Sequence, residues 1–124
     1  MLIDHVTLRT ADLEATRGFL EELLGLTAGS RPDFGFPGYW LYSDGEPVVH
    51  LIPGGGGAVG RDAETIDHVG FRLEGYAAYR GKLDASAIPY STMDLPELRE
   101  RRLFVRTPGG ILLELVFREG EAVN

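Results

Sequence analysis

The chain repeats its opening segment shortly after its midpoint. Residues 66–72 match residues 3–9 at a distance of 63 positions, with the same amino acid at five of the seven sites. A 124-residue chain suits one compact domain, whereas a half of about 60 residues is marginal alone. The repeat therefore predicts a single domain, residues 1–124, made of two copies of one small unit.

Each copy continues from its opening strand into a helix. The segment Thr10-Ala11-Asp12 is a helix-start signal, apolar residues follow at roughly helical spacing, and Gly25 is a natural C-terminal cap. The second copy has a helical pattern from Tyr76 to about Ser86.

Two strand patterns follow each helix, around the turns Ser43-Asp44-Gly45 and Thr107-Pro108-Gly109. Each copy thus comprises a strand, a helix and two or three strands, most simply βαβββ. We expect a first module at 1–53, a linker at 54–64 with four consecutive glycines, and a second module at 65–124. The segments 31–38 and 92–101 are predicted to be loops.

Composition restricts the function. The net charge of −7 argues against binding to nucleic acid or an anionic membrane, because both need a basic surface. The sequence has no cysteine, which excludes disulfides and thiolate ligands, and no apolar run of about 20 residues. The start shows no signal-peptide pattern, so we expect a cytoplasmic protein.

The repeat brings four potential metal ligands into register. His5 corresponds to His68, and His50 corresponds to Glu114 at a distance of 64 residues. If the first and last strands of each module line one concave face, all four side chains converge. A single histidine in an apolar strand is more often a packed residue. A carboxylate in the apolar strand around Glu114, however, requires compensation.

This donor set predicts a divalent transition metal. Imidazole with carboxylate suits Zn, Fe, Ni, Co or Mn better than Ca or Mg. His5, His68 and Glu114 alone form a two-histidine-one-carboxylate set, and His50 is a candidate fourth ligand.

The chain resembles the vicinal oxygen chelate superfamily, which includes glyoxalase I, bleomycin resistance proteins, methylmalonyl-CoA epimerase and extradiol dioxygenases. Four segments carry the resemblance: 3–6, 12–25, 66–69 and 107–115. It implies an α+β fold in which two βαβββ modules form a cup-shaped mixed sheet around a divalent metal. Carried over by position, the ligands are His5, His50, His68 and Glu114. Glyoxalase I proteins commonly have a carboxylate where His50 stands.

The resemblance implies a metal-dependent, glyoxalase-like lyase or isomerase acting on a small oxygen-bearing substrate. Glu114 or metal-activated water is the expected base, and His50 is either the fourth ligand or an acid–base group. The alternatives are an Fe(II)-dependent dioxygenase of the extradiol type and a non-catalytic small-molecule or antibiotic-binding resistance protein. Superfamily members often pair, so a homodimer is expected.

Candidate substrate-binding residues surround the predicted ligands. Strand alternation places Arg9 on the face of His5 and Arg72 on the face of His68, where they could clamp an anionic group. The alternative is that both arginines lie at strand ends and meet water or a partner chain. Tyr42 and Phe104 are candidate walls. Arg102 belongs to a run of arginines, completed by Arg99, Arg101 and Arg106, that suits an anionic small molecule or a solvated strand flank.

Overall fold

The computed structural model describes residues 1–54, 64–108 and 110–118. These residues contain two helices, a short 3₁₀ helix and eight strands. In chain order they are β1 (Leu2–Thr10), α1 (Leu13–Leu24), β2 (Thr27–Gly29), β3 (Tyr39–Ser43), β4 (Glu46–Pro53), β5 (Glu64–Arg72), α2 (Tyr76–Ala85), β6 (Tyr90–Leu95), the 3₁₀ helix (Pro96–Leu98), β7 (Glu100–Arg106) and β8 (Leu112–Arg118).

The described residues group into two compact units. The N-terminal unit comprises those between His5 and Asp67, and the C-terminal unit comprises Met1–Asp4 with those from His68 onward. Among the described residues, no helix is both long and apolar enough to cross a membrane.

In the N-terminal unit the strands lie in the order β2-β3-β4-β1. Strands β1 and β4 are parallel, and the other neighbours are antiparallel. Helix α1 begins where the Asp12 side chain accepts a hydrogen bond from the Ala15 amide at 3.0 Å. It ends at Gly25, whose φ of 71° is left-handed. The core contains Leu26, Leu41 and Leu51.

The C-terminal unit repeats this arrangement, with the strand order β5-β8-β7-β6. Strands β5 and β8 are parallel, and β8, β7 and β6 are antiparallel neighbours. Its core is larger and more aromatic than that of the N-terminal unit. The buried members are Leu73, Tyr76, Leu83, Leu103, Leu115 and Phe117.

The predicted α+β class with two βαβββ modules is confirmed, since strand, helix and three strands recur in order. The turn between β3 and β4 is also as predicted: Asp44 and Gly45 both have positive φ, as a two-residue hairpin turn of type I′ requires. The predicted loop at 92–101 was wrong, because this segment forms most of β6, the 3₁₀ helix and the start of β7. Most of the predicted linker lies outside the described residues, so the module boundaries stay a prediction.

Candidate metal centre

In the C-terminal unit, β5 and β8 bring a histidine and a glutamate together. Gly70 is the register partner of Glu114, and His68 lies two residues earlier on the same face of β5. The Nε2 atom of His68 is 2.9 Å from Oε1 of Glu114. Because residue 70 is glycine, β5 places no side chain between His68 and Glu114.

The neighbouring strand β7 supplies a cation for this buried carboxylate. Nη1 of Arg102 donates to Oε2 of Glu114 at 2.6 Å, and Nη2 donates to Oε1 of Glu100 at 2.5 Å. Arg102 and Glu114 are only 4% and 2% exposed. Burial lowers the pKa of Arg102, but the charges and hydrogen bonds of Glu114 and Glu100 outweigh it and raise that pKa above its ordinary value. Glu114 is therefore a charge-compensated carboxylate with one oxygen directed at His68.

The corresponding part of the N-terminal unit is a column of stacked rings. The ring of His50 lies between those of His5 and Trp40, with centroids 3.9 and 4.1 Å away and interplanar angles of 12° and 10°. All three residues are buried. The column forms because His50 and Trp40 are register partners on β4 and β3, while His50 pairs with Thr7, two residues after His5, on β1.

One nitrogen of His50 is engaged by the backbone. Its Nε2 lies 3.0 Å from the carbonyl oxygen of Pro47. A carbonyl oxygen only accepts hydrogen bonds, so Nε2 carries the hydrogen in this bond.

The two predicted clamp arginines form matching ion pairs. In the N-terminal unit Arg9 contacts Asp67 at 2.9 Å and also donates to the Pro53 carbonyl oxygen. In the C-terminal unit Arg72 contacts Asp4 at 3.2 Å. The repeat relates Arg9 to Arg72 and Asp67 to Asp4. Their substrate-binding role stays a prediction.

The remaining predicted residues lie as follows. The Tyr42 hydroxyl donates to the Ser30 carbonyl oxygen at 2.5 Å. The ring of Phe104 stands edge-on to that of His68, with centroids 6.3 Å apart. Arg102 is held by Glu114 and Glu100 as described above. The roles predicted for these residues in substrate binding also stay predictions.

Sequence reasoning missed two relationships in these regions: the pairing of Arg102 with Glu114, and the stacking of Trp40 on His50. The first could have been found. Glu100 and Arg102 are two residues apart and so share a face of a strand that neighbours β8, and a buried glutamate needs a cation. No sequence signal indicates the second, since ring stacking depends on side-chain rotamers.

Comparison with known proteins identifies the family. A family model described as Glyoxalase/Bleomycin resistance protein/Dioxygenase superfamily matches residues 2–115. A trivalent organoarsenical cleaving enzyme from Thermomonospora curvata is 31% identical over 131 aligned positions, which cover 95% of this chain and 78% of that enzyme.

Solved structures agree on the fold. Methylmalonyl-CoA epimerase from Mycobacterium tuberculosis is 20% identical with a TM-score of 0.67, over 94% of this chain and 87% of the epimerase. The 2,3-dioxygenase LapB from Pseudomonas sp. KL28 is also 20% identical, with a TM-score of 0.75, over 99% of this chain and 42% of the dioxygenase. At this identity the likeness extends to the fold alone. The chain belongs to the Glyoxalase/Bleomycin resistance protein/Dioxygenase superfamily.

Proposed function

We propose that the chain is an enzyme that depends on a divalent transition metal held by His5, His68 and Glu114. The observation that carries the proposal is the contact between half-buried His68 and buried Glu114, with Arg102 compensating the carboxylate. His5 joins the set because the repeat gives it the position of His68, and because it is buried. Membership of the superfamily supports the same conclusion.

The separation of the two donor atoms fits a shared ion. Two ligand atoms that each lie about 2.1 Å from one ion, at right angles, are about 3.0 Å apart. Nε2 of His68 and Oε1 of Glu114 form an ion-pair contact at 2.9 Å, and a shared ion would accept the same separation. Two imidazoles and one carboxylate suit a divalent transition metal and leave coordination positions for a substrate.

We assign His50 to support of His5 and not to the ligand set. Its Nε2 is bonded to the Pro47 carbonyl oxygen, which leaves only Nδ1 as a ligating atom, and its ring is stacked between the rings of His5 and Trp40. A stacked neighbour restricts the rotation of the His5 ring, which orients a ligand as hydrogen-bonding partners do in many metal sites.

The contacts of Glu114 favour a dioxygenase over a lyase or isomerase. A lyase or isomerase needs a proton acceptor, and the predicted base is Glu114 or metal-activated water. Here Arg102 holds one of its oxygens while the other is directed at His68, so its carboxylate suits a ligand better than a base. We therefore propose an Fe(II)-dependent dioxygenase acting on a small substrate that offers oxygen atoms to the metal. A metal with this ligand set supplies oxygen activation.

The substrate named for the organoarsenical relative is not carried over. Trivalent arsenic is a soft centre that thiolates bind best, and this chain has no cysteine. An oxygen-bearing organic substrate fits the available donors better.

Metal content and oxygen consumption test the proposal. Protein purified without chelator and loaded anaerobically with Fe(II) should bind one ion per chain and consume oxygen with catechols. Glu114→Ala should bind little metal and consume none. Metal-dependent turnover of an aliphatic oxygenated substrate without oxygen uptake would favour the lyase or isomerase alternative. Metal-free protein whose ligand binding is unchanged in Glu114→Ala would favour the non-catalytic alternative.

The predicted homodimer and cytoplasmic location accompany this proposal. Sedimentation of the full chain tests the first, and cell fractionation tests the second.

A further inference from the structure

The C-terminal unit has a cavity beside the proposed ligand His68. Its volume is about 560 Å³, within the usual range for small-molecule sites. It opens where β6 and β8 begin and β7 ends. Phe104 and Leu112 line it, and each is also a neighbour of His68: Phe104 through its edge-on ring, and Leu112 as its register partner. Phe104 and Leu112 thus belong both to the cavity lining and to the surroundings of His68.

The wall of the cavity is mainly apolar and aromatic. Phe104 and Leu112 line it from one face of the sheet, and Tyr90 and Val105, which also pack against the C-terminal core, line it from the other. The Tyr90 hydroxyl is already engaged, because it donates to Asp84 at 2.8 Å and accepts from Arg80 at 3.3 Å. This wall suits an apolar ring or a branched chain.

One cation accompanies this apolar surface. Among the described residues that line the cavity, Arg106 is the only charged side chain, and no carboxylate lies beside it in the lining. Its Nη1 donates to the Gly110 carbonyl oxygen at 2.9 Å, which restrains the guanidinium near the opening. The Ser91 hydroxyl adds a second polar group. The chain as a whole has a net charge of −7, so a cavity lining whose described charge is positive differs from the overall charge of the protein.

We infer that the cavity binds the body of the substrate, an apolar ring or branched chain bearing a carboxylate or phosphonate group that pairs with Arg106. This inference rests on the proposed metal-dependent function, since it places the substrate beside His68. It assigns anion recognition to Arg106, whereas Arg9, Arg72 and Arg102 are all held by carboxylates.

Benzoate is the probe for the test, with benzyl alcohol as its uncharged counterpart. In an NMR titration of the full chain, as purified and after loading with Zn(II), benzoate should shift the amide signals of Ser91, Val105 and Leu112. Arg106→Met should weaken benzoate binding about tenfold, the usual effect of losing a charged hydrogen bond, and Arg106→Lys should restore part of it. Benzyl alcohol should bind both proteins equally.

The matched control is Arg101→Met, which removes an exposed guanidinium from the same strand outside the cavity. It should leave benzoate binding unchanged. The inference is overturned if benzoate does not bind at millimolar concentration, if Arg106→Met binds it as the parent does, or if the shifts lie elsewhere. These readouts do not require metal, so failure of the metal proposal is recognised separately by the absence of Zn(II) uptake.

Discussion

Corresponding strands of the two units carry different side-chain interactions. In the N-terminal unit, β1, β3 and β4 hold a column of three stacked rings, His5, His50 and Trp40. In the C-terminal unit, the corresponding strands hold a buried cluster of charges around Glu114. The repeat thus preserves strand positions while the interactions differ. His50 stacks against two rings and bonds to a backbone carbonyl oxygen. Its counterpart Glu114 pairs with Arg102 and directs its other carboxylate oxygen at His68.

The largest effect is expected from removing the cation of the C-terminal cluster. Arg102→Met removes the cation paired with buried Glu114, whereas partly buried Glu100 keeps its contact with Arg118; breaking a buried ion pair in this way costs about 3–5 kcal/mol. Urea unfolding should show this loss in the free energy of unfolding. Arg101→Met removes an exposed arginine of the same strand that pairs with Asp94 and lies over the ring of Tyr76, and it should cost about 1–2 kcal/mol. Equal effects of the two variants would mean that the cluster is not specially stabilised by Arg102.

A smaller effect is expected from opening the ring column. His50→Ala removes two stacked contacts and the bond to the Pro47 carbonyl oxygen, which should cost about 2 kcal/mol of unfolding free energy. His50→Phe keeps a ring in the column and should recover more than half of this loss. If His50→Phe is as unstable as His50→Ala, the hydrogen bond to Pro47 and not the stacking holds the column together.

The smallest effect concerns an exposed charge cluster in the N-terminal unit. Glu14 on α1 accepts hydrogen bonds from Tyr39 and Arg17, with the bond from Tyr39 the larger cause of a lowered pKa of Glu14. A lowered pKa stabilises the fold above the unfolded value of about 4.3 and loses that contribution as pH falls through the folded value. The bond to Glu14 also raises the pKa of Tyr39, so its own contribution is lost in strong alkali.

Tyr39→Phe should therefore be less stable than the parent near neutral pH, by a difference that shrinks below about pH 4. Urea midpoints near neutral pH and in acid measure this change. Tyr42→Phe is the control, because Tyr42 donates to the Ser30 carbonyl oxygen, which does not titrate in this range. A Tyr39→Phe difference that persists unchanged in acid would show that Glu14 is not the relevant partner.

Most of the fold could be predicted, because the repeat and the helix caps leave local signals. Asp12 and Gly25 bound α1 as expected, and the hairpin turn at Asp44 and Gly45 forms where its residues indicate. The second strand of each module could not be recognised. β2 has only three residues, and residues 91–94 of β6 are exposed, so neither has the apolar alternation that identifies a strand.

The candidate ligand positions could be derived from the repeat, but their partners could not. Alignment equates His50 with Glu114, yet it cannot show that the imidazole of His50 reaches the Pro47 carbonyl oxygen. Likewise, the sequence indicates Arg102 as a functional residue but predicts that it contacts a substrate, whereas it pairs with Glu114. These choices depend on side-chain geometry across strands, which a single sequence does not specify.

The most direct test of the proposed centre compares two aromatic substitutions within one column. Fe(II) or Co(II) affinity and stoichiometry should be measured for the parent, His5→Phe and His50→Phe, since both variants keep a ring in the column. If His5, His68 and Glu114 are the ligands, His5→Phe should bind metal at least about 100-fold more weakly, the effect of losing a ligand worth several kcal/mol. His50→Phe should still bind one ion, with affinity within about tenfold of the parent. Loss of metal from His50→Phe to the same extent as from His5→Phe would contradict the three-ligand centre.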